Sequence, residues 1–182
     1  MGLTFTKWLD DWYKSLTGPS TILILGLDNA GKTMVLYCMK LKTSIQHTIP
    51  TVGFNIEEIN YENLTIKAWD LGGQSSLRSM WKHYYEGSDA IIFVVDSNDK
   101  DRLQEASDEL YELLDNQYLK DKPFLIFANK QDLPCAVDIN EFKKKMRLEN
   151  MEMARKIRIV GCSAINNEKI DLGLKWLRSA LI

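Results

Sequence analysis

Four short runs of apolar residues recur along the chain, and each is followed by a longer stretch whose apolar residues have helical spacing. Runs this short and continuous predict strands buried on both faces of a sheet, and the longer stretches predict helices. The predicted strands are TILILG (21–26), DAIIFVVD (89–96), KPFLIFAN (122–129) and KIRIVGCS (156–163). The helices that follow them are predicted over 31–41, 101–117, 138–148 and 170–181.

Two further segments lie between the first and second runs and alternate apolar with polar residues. They are FNIEEIN (54–60) and LTIKAWD (64–70), which flank the turn sequence YEN and predict a β-hairpin. Repeated strand–helix units connect parallel strands through right-handed crossovers. The predicted fold class is therefore α/β, with a six-stranded, mainly parallel sheet and helices on both faces. Ligands of such sheets bind beyond the carboxyl ends of the strands.

Composition narrows the class of protein without changing this architecture. A chain of 182 residues fits one domain, and a net charge of −2 provides no basic face for a polyanion, so no nucleic acid partner is expected. Its three cysteines form no paired motif, which favours a reduced, cytoplasmic setting. The longest apolar runs fall short of the roughly 18 residues that span a bilayer, so any membrane contact is expected to be peripheral.

The first strand is followed by GLDNAGKT (26–33), which matches the phosphate-loop pattern G-x-x-x-x-G-K-[ST] in the required strand–loop–helix context. Two glycines let the backbone wrap a phosphate chain, Lys32 adds positive charge, and Thr33 offers a hydroxyl oxygen to Mg²⁺. The segment therefore predicts a nucleoside triphosphate site. The residues predicted to bind the nucleotide here are Gly26, Leu27, Asp28, Asn29, Ala30, Gly31, Lys32, Thr33 and Met34.

The sequence NKQD (129–132) follows another predicted strand at the same edge of the sheet and indicates the base. One carboxylate, Asp132, can accept from both N1–H and the exocyclic amino group of guanine, whereas adenine has neither donor there. Asn129 is expected to bridge the loops, and the Lys130 stem to lie over the ring. In CSA (162–164), which includes Ser163, the Ala164 N–H is expected to meet guanine O6. The nucleotide is therefore predicted to be GTP or GDP.

Two segments have the form of nucleotide-sensing loops. In WDLGGQ (69–74), Asp70 is expected to hold Mg²⁺ through a water, the Gly73 N–H to meet the γ-phosphate, and Gln74 to orient the attacking water. In IPTVGF (49–54), Thr51 is expected to coordinate Mg²⁺ only while the γ-phosphate is present. The predicted metal ligands are thus Thr33 and Thr51, with Asp70 acting through water.

The sequence also bears on the rate of hydrolysis, which needs positive charge near the transferring phosphoryl group. G-protein α subunits carry an arginine three residues before their switch threonine, but Thr48 holds that position here. Slow intrinsic hydrolysis is therefore expected, with an arginine supplied by a partner. Asp28, inside the phosphate loop, is expected to slow the reaction further by repelling the γ-phosphate transition state.

Taken together, these motifs resemble the Arf and Arf-like family of small GTPases over nearly the whole chain. The matching segments are GLDNAGKT, PTVGFN, WDLGGQ, FVVDSNDKDR and FANKQDLP. The wording of GLDNAGKT resembles Arf-like proteins more than Arf proteins themselves. The chain departs from the family pattern after CSA, where INNEKID replaces a glycine-containing turn. The resemblance implies the P-loop small GTPase fold, guanine nucleotide exchange factors, GTPase-activating proteins with an arginine finger, and effectors that recognise Phe54, Trp69 and Tyr84.

The opening segment MGLTFTKWLDDWYKSL fits the myristoylation pattern M-G-x-x-x-[ST], with Gly2 as the acceptor. Residues 1–17 are predicted to form an amphipathic helix, and residues 18–182 the GTP-binding domain. Two interpretations remain open: the helix packs permanently on the domain, or it exchanges between a protein groove and a bilayer. The resemblance implies that GTP shifts the hairpin in register and fills that groove. The apolar side of the predicted N-terminal helix comprises Phe5, Trp8, Leu9, Trp12, Tyr13 and Leu16.

The sequence thus favours a GDP/GTP switch that hydrolyses GTP slowly, attaches to a membrane surface according to its nucleotide and regulates vesicle traffic. The expected location is cytoplasmic and reversibly membrane-associated, at the Golgi or another endomembrane. A GTP-binding scaffold with negligible hydrolysis is the alternative, and a P-loop ATPase or kinase is a third interpretation.

Overall fold

A computed structural model describes residues 19–41, 54–61 and 64–181 of the chain. The predicted N-terminal helix, with Gly2, and the predicted metal ligand Thr51 lie outside the described residues. The strands are β1 Ser20–Leu25, β2 Phe54–Tyr61, β3 Leu64–Leu71, β4 Ala90–Asp96, β5 Phe124–Asn129 and β6 Ile157–Gly161. The α-helices among the described residues are α1 Lys32–Leu41, α2 Ser75–Arg78, α3 Leu103–Leu114, α4 Ile139–Lys145, α5 Met151–Ala154 and α6 Ile170–Leu181.

The strands form one six-stranded sheet in the order β2-β3-β1-β4-β5-β6. Only β2 and β3 pair in antiparallel fashion, and the other neighbours are parallel. In this register Ile24 of β1 lies opposite Asp70 of β3, and Asp96 of β4 lies opposite Asn129 of β5. The carboxyl ends of β1, β3, β4 and β5 therefore meet at one edge, as predicted.

The core has two layers because the central strands are apolar on both faces. On β1, Leu23 and Leu25 belong to the cluster that includes the inner side chains of α3 and α4, whereas Ile22 and Ile24 belong to the cluster with α1 and α6. This alternation follows from the period of two along a strand. Helices on both faces leave the sheet edge near the carboxyl ends for ligand binding.

The hairpin is joined to the helices by two polar contacts far from the nucleotide-binding motifs. Lys40 of α1 pairs with Glu57 of β2 at 2.7 Å, and the Tyr61 hydroxyl donates to the Asp171 carboxylate of α6. Both contacts join β2 to a helix in the β2–β3 register observed here. No helix in the described part of the chain is long and apolar enough to cross a membrane.

The fold class is as predicted, but two local expectations are wrong and two short helices were missed. Strand β6 is not buried on both faces, because it lies at the edge of the sheet and exposes Arg158. The helix predicted over 101–117 is shorter than expected, since Lys100–Arg102 form a 3₁₀ turn and α3 spans Leu103–Leu114. The short helices α2 and α5 were not predicted, because four residues are too few to show helical periodicity.

Candidate functional site

The phosphate loop runs from the end of β1 to the first turn of α1 and depends on two glycines with positive φ. Gly26 has φ 137°, and a Cβ there would lie 2.1 Å from the Val94 carbonyl oxygen of the neighbouring strand. Gly31 has φ 96°, and a Cβ there would lie 2.4 Å from Asn129 Nδ2. A side chain at Gly26 would require backbone movement, and one at Gly31 would be strained and would displace the Asn129 side chain. The loop is therefore held tightly against β4 and the guanine motif.

Lys32 opens α1 and is only 6% exposed. Its Nζ donates to the Leu27 carbonyl at 2.9 Å, so the ammonium lies within the arch of the loop. Burial lowers the pKa of Lys32 to about 8, and the nearby carboxylates Asp70 and Asp28 partly oppose that effect. A phosphate chain would supply the negative charge that a buried ammonium lacks.

Thr33 and Asp70 meet at the predicted metal position. The Thr33 hydroxyl donates to Asp70 Oδ2 at 2.6 Å, and the Asp70 side chain is fully buried. Two hard oxygens at this spacing, beside a phosphate loop, fit Mg²⁺, which uses one or two protein oxygens and completes its octahedron with phosphate and water. Within residues 19–41, 54–61 and 64–181, no group of three or more His, Cys, Asp or Glu side chains could hold a metal alone.

Asn129 connects the three loops of the guanine end. Its Nδ2 donates to the Ala30 carbonyl at 2.9 Å, and its Oδ1 accepts from the Ala164 N–H at 3.0 Å. The predicted bridging role of Asn129 is therefore seen in the geometry. The Ala164 N–H donates to Asn129 Oδ1 in this structure, and its expected contact with guanine O6 stays a prediction.

Two contacts orient the remaining residues of the NKQD motif. Ser163 Oγ donates to Asp132 Oδ1 at 2.6 Å, and Lys130 Nζ pairs with Asp96 Oδ2 at 2.6 Å. Asp132 keeps an exposed position from which its carboxylate can accept from a base. Sequence reasoning missed Asp96 as a partner, although its place at the end of a strand at the functional edge was a usable signal.

The INNEKID segment closes without glycine. Ser163 and Glu168 form an isolated bridge, with hydrogen bonds of 3.2 and 2.8 Å between their backbones. Asn167 and Lys169 adopt positive φ of 55° and 59°, the left-handed conformation that glycine takes without strain. The loop thus forms a tight turn that leaves Ser163 in contact with Asp132.

Two buried cysteines pack behind this loop, whereas Cys135, three residues after Asp132, is exposed. The Cys38 thiol of α1 donates to the Ala164 carbonyl at 3.0 Å. Burial raises the pKa of Cys38 to about 11 and raises the pKa of Cys162 still further. Both thiols are therefore protonated near neutral pH and act as packing groups.

Gly73 lies directly against the phosphate loop. Its carbonyl accepts from the Asp28 N–H at 3.1 Å, and a Cβ on Gly73 would lie 2.4 Å from that nitrogen. Gln74 follows as the exposed N-cap of α2, a position from which its side chain is free of the core. The predicted γ-phosphate contact and the predicted water-orienting group thus lie at the Asp28 end of the loop.

Two arginines near this end were not assigned from sequence. Arg78 of α2 donates through Nε to the Gly73 carbonyl at 2.9 Å, and its Nη1 lies 2.8 Å from both Glu105 and Glu109. Arg102 lies 3.1 Å from the Asp28 carboxylate. Arg102 is 74 residues from Asp28 in sequence, so only the fold brings them together.

Two of the three side chains predicted to bind effectors lie in contact with each other. The rings of Trp69 on β3 and Tyr84 have centroids 4.8 Å apart and an interplanar angle of 47°. The Lys67 ammonium lies 5.5 Å from the Trp69 ring centroid. The backbone of Phe54 pairs with Leu71 at the start of the hairpin, and its side chain lies outside the described residues.

A phosphate loop, a Thr33–Asp70 pair suited to Mg²⁺ and a guanine motif at one edge of this sheet define a P-loop guanine-nucleotide-binding protein. The model of the ADP-ribosylation factor family, Arf, matches residues 9–181. The chain belongs to this family. It therefore binds GTP or GDP with Mg²⁺, acts as a GTP-binding switch and hydrolyses GTP. Members of the family generally interact with exchange factors, GTPase-activating proteins and effectors.

Two relatives illustrate the similarity. ADP-ribosylation factor-like protein 1 of Saccharomyces cerevisiae is 46% identical over 177 residues, which cover 97% of this chain and 95% of the relative. The Arl6 BBS3 small GTPase of Trypanosoma brucei, solved with the nucleotide analogue GppNp, superposes with a TM-score of 0.82 at 29% identity. That similarity covers 90% of this chain and 98% of the solved one. The assignment to Arf-like proteins is thus confirmed.

Proposed function

We propose that this GTPase regulates membrane traffic by attaching to a membrane surface in its GTP state and leaving it in its GDP state. An exchange factor loads GTP, effectors bind the surface around Trp69 and Tyr84, and an activating protein ends the signal. The protein is cytoplasmic with GDP and lies on the Golgi or another endomembrane with GTP.

The observation that carries the proposal is the contact between Asp70 and Thr33. Asp70 belongs to the hairpin strand β3 and lies opposite Ile24 of β1. A slip of β3 by two residues preserves which side chains face the core but puts Ala68 or Gly72 opposite Ile24. Neither residue offers a side-chain oxygen to Mg²⁺. Mg²⁺ therefore favours the observed register over a slipped one, and the expected contact of the γ-phosphate with the Gly73 N–H makes GTP favour it more than GDP does.

The membrane half of the proposal rests on the sequence of residues 1–17. A single myristoyl chain on Gly2 gives only marginal membrane binding, so a second apolar element is needed for stable attachment. The apolar side of the predicted helix provides that element, with Trp8 and Trp12 suited to the headgroup boundary. A hairpin whose register depends on the bound nucleotide provides a means of releasing this helix from the domain.

Co-sedimentation with liposomes tests the proposal. Full-length myristoylated protein loaded with GTPγS is expected to pellet with neutral phosphatidylcholine vesicles, whereas the GDP-loaded protein is expected to stay in solution. Trp12→Ala, on the apolar side of the helix, reduces pelleting, and Lys14→Ala, on the polar side, is the matched control. Equal binding of the two nucleotide forms would refute nucleotide-dependent attachment.

A cellular comparison extends the test to location. The Gln74→Leu variant, expected to retain GTP, concentrates on an endomembrane, and the same variant with Gly2→Ala becomes diffuse. A diffuse Gln74→Leu protein contradicts the proposed location.

A further inference from the structure

Asp28 stands at the γ-phosphate end of the phosphate loop. Its backbone N–H contacts Gly73, whereas the opposite end of the loop, at Ala30, contacts the guanine residue Asn129. The Asp28 side chain is 49% exposed. A carboxylate at this end opposes the charge of a third phosphate more than it opposes a diphosphate, because Coulomb energy falls with distance.

Arg102 holds that carboxylate. Its Nη1 lies 3.1 Å from Asp28 Oδ1, and its Nη2 lies 3.5 Å from the Asp28 carbonyl oxygen. The guanidinium is itself aligned by Asp99, whose Oδ2 accepts at 2.7 Å from Nε and lies 2.7 Å from Nη2. A planar guanidinium fixed on one edge in this way presents its other edge in a defined direction. Asp28 is therefore drawn towards the start of α3.

A second arginine near Asp28, Arg78, is largely committed to other carboxylates. It lies 4.0 Å from Asp28 Oδ1, while its Nη1 is 2.8 Å from both Glu105 and Glu109. The two arginines and four carboxylates of this cluster carry a formal net charge of −2. Loss of Arg102 would change it to −3 and release the carboxylate that lies nearest the loop.

We infer that Arg102 is a positioning residue that sets the preference of this GTPase between triphosphate and diphosphate. It orients the Asp28 carboxylate towards α3 and offsets its charge, so that the loop tolerates a γ-phosphate. This role concerns nucleotide selection and is independent of membrane attachment.

The test is the ratio of the dissociation constants for GDP and GTPγS, measured by displacement of a fluorescent GDP in excess Mg²⁺. We expect Arg102→Ala to weaken GTPγS relative to GDP by about 3–10-fold, since one partly exposed charge is removed a short distance from the γ-phosphate. The effect should shrink between about 50 mM and 500 mM salt because exposed charges are screened. Arg102→Lys keeps the charge but not the two-sided alignment and is expected to be intermediate.

A double variant separates positioning from a general structural effect. Asp28→Asn in the Arg102→Ala protein removes the unpaired charge and is expected to restore the ratio, whereas lost packing would not be restored. Arg147→Ala is the control, because Arg147 pairs with Asp108 of the same helix α3 at 2.7 Å and should not change the ratio. An unchanged ratio in Arg102→Ala, or no restoration by Asp28→Asn, would overturn the inference.

Discussion

At the scale of single residues, the site works through side chains that each serve two elements. Asn129 fixes the phosphate loop and the Ala164 loop together, and Asp70 belongs to the hairpin strand β3 while it faces the predicted metal position. The motif spacing of the sequence predicted these residues well, because their chemistry demands particular types. The hydrogen bond between Ala164 and Asn129 and the contact between Arg102 and Asp28 could not be predicted, since both depend on where loops from distant segments meet.

Lys32 leads to a prediction about protons. Its pKa of about 8 lies below the ordinary lysine value, and the phosphates of a bound nucleotide should raise it again. GDP binding at pH 8 is therefore expected to take up about half a proton, and binding at pH 6.5 almost none from this residue. Titration calorimetry in buffers of different ionisation enthalpy measures this uptake.

The lowered pKa of Lys32 also determines how this residue's contribution to stability changes with pH. Between pH 8 and 10.5 the unfolded chain holds more protons on Lys32 than the folded one, so this group's contribution to stability rises with pH there. Proton uptake that is the same at pH 8 and pH 6.5 would contradict the lowered pKa.

At the scale of elements, α6 packs closely on the sheet through a glycine. A Cβ on Gly173 would lie 2.7 Å from a ring carbon of Phe127 and 3.1 Å from Leu125 Cδ1, and both side chains are fully buried. The periodicity of 170–181 predicted the helix and its inner face. It could not predict this close approach, because the distance between helix and sheet is set by packing across the whole layer.

Gly173→Ala is therefore expected to destabilise the protein by about 1–2 kcal/mol, because the cost of overpacking exceeds the higher helix propensity of alanine. Ser179→Ala, on the exposed side of the same helix, is the control and should leave stability unchanged or slightly higher. Urea unfolding of the GDP-bound protein compares the two. A Gly173→Ala midpoint at or above that of the unsubstituted protein would show that the neighbouring ring yields without cost.

At the scale of the whole molecule, the charges near the loop bear on the rate of hydrolysis. Arg78 and Arg102, the arginines at the γ-phosphate end in the described residues, are both held by carboxylates. Neither guanidinium is thus presented to a transferring phosphoryl group. The pairing supports the expectation, first drawn from Thr48, that the arginine for fast hydrolysis comes from a partner.

Single-turnover GTP hydrolysis measures this dependence. The isolated protein is expected to turn over below about 0.1 s⁻¹, and an activating protein with a catalytic arginine to accelerate it by about 10³–10⁵-fold. The Arg→Lys form of that activating protein is the control, and Gln74→Leu is expected to remove the acceleration. Turnover above about 0.1 s⁻¹ without a partner would show that the chain supplies its own positive charge.

The overall architecture was predictable for a physical reason. Strands apolar on both faces can exist only inside a sheet covered on two sides, and right-handed crossovers leave few arrangements. The position of β6 at the edge of the sheet was harder to predict from the sequence, because Arg158 is a single exposed residue in an otherwise apolar run. Hairpin register likewise depends on contacts such as that between Tyr61 and Asp171, which link segments far apart in the chain.

The cysteines of the guanine end have a practical consequence. Cys38 and Cys162 are buried and protonated, whereas Cys135 is exposed just beyond the NKQD motif. A maleimide dye applied near neutral pH would therefore attach at one place, three residues from the Asp132 carboxylate that is predicted to bind the base. The natural chain thus carries a built-in attachment point for an optical reporter of nucleotide exchange, and no cysteine has to be added or removed to use it.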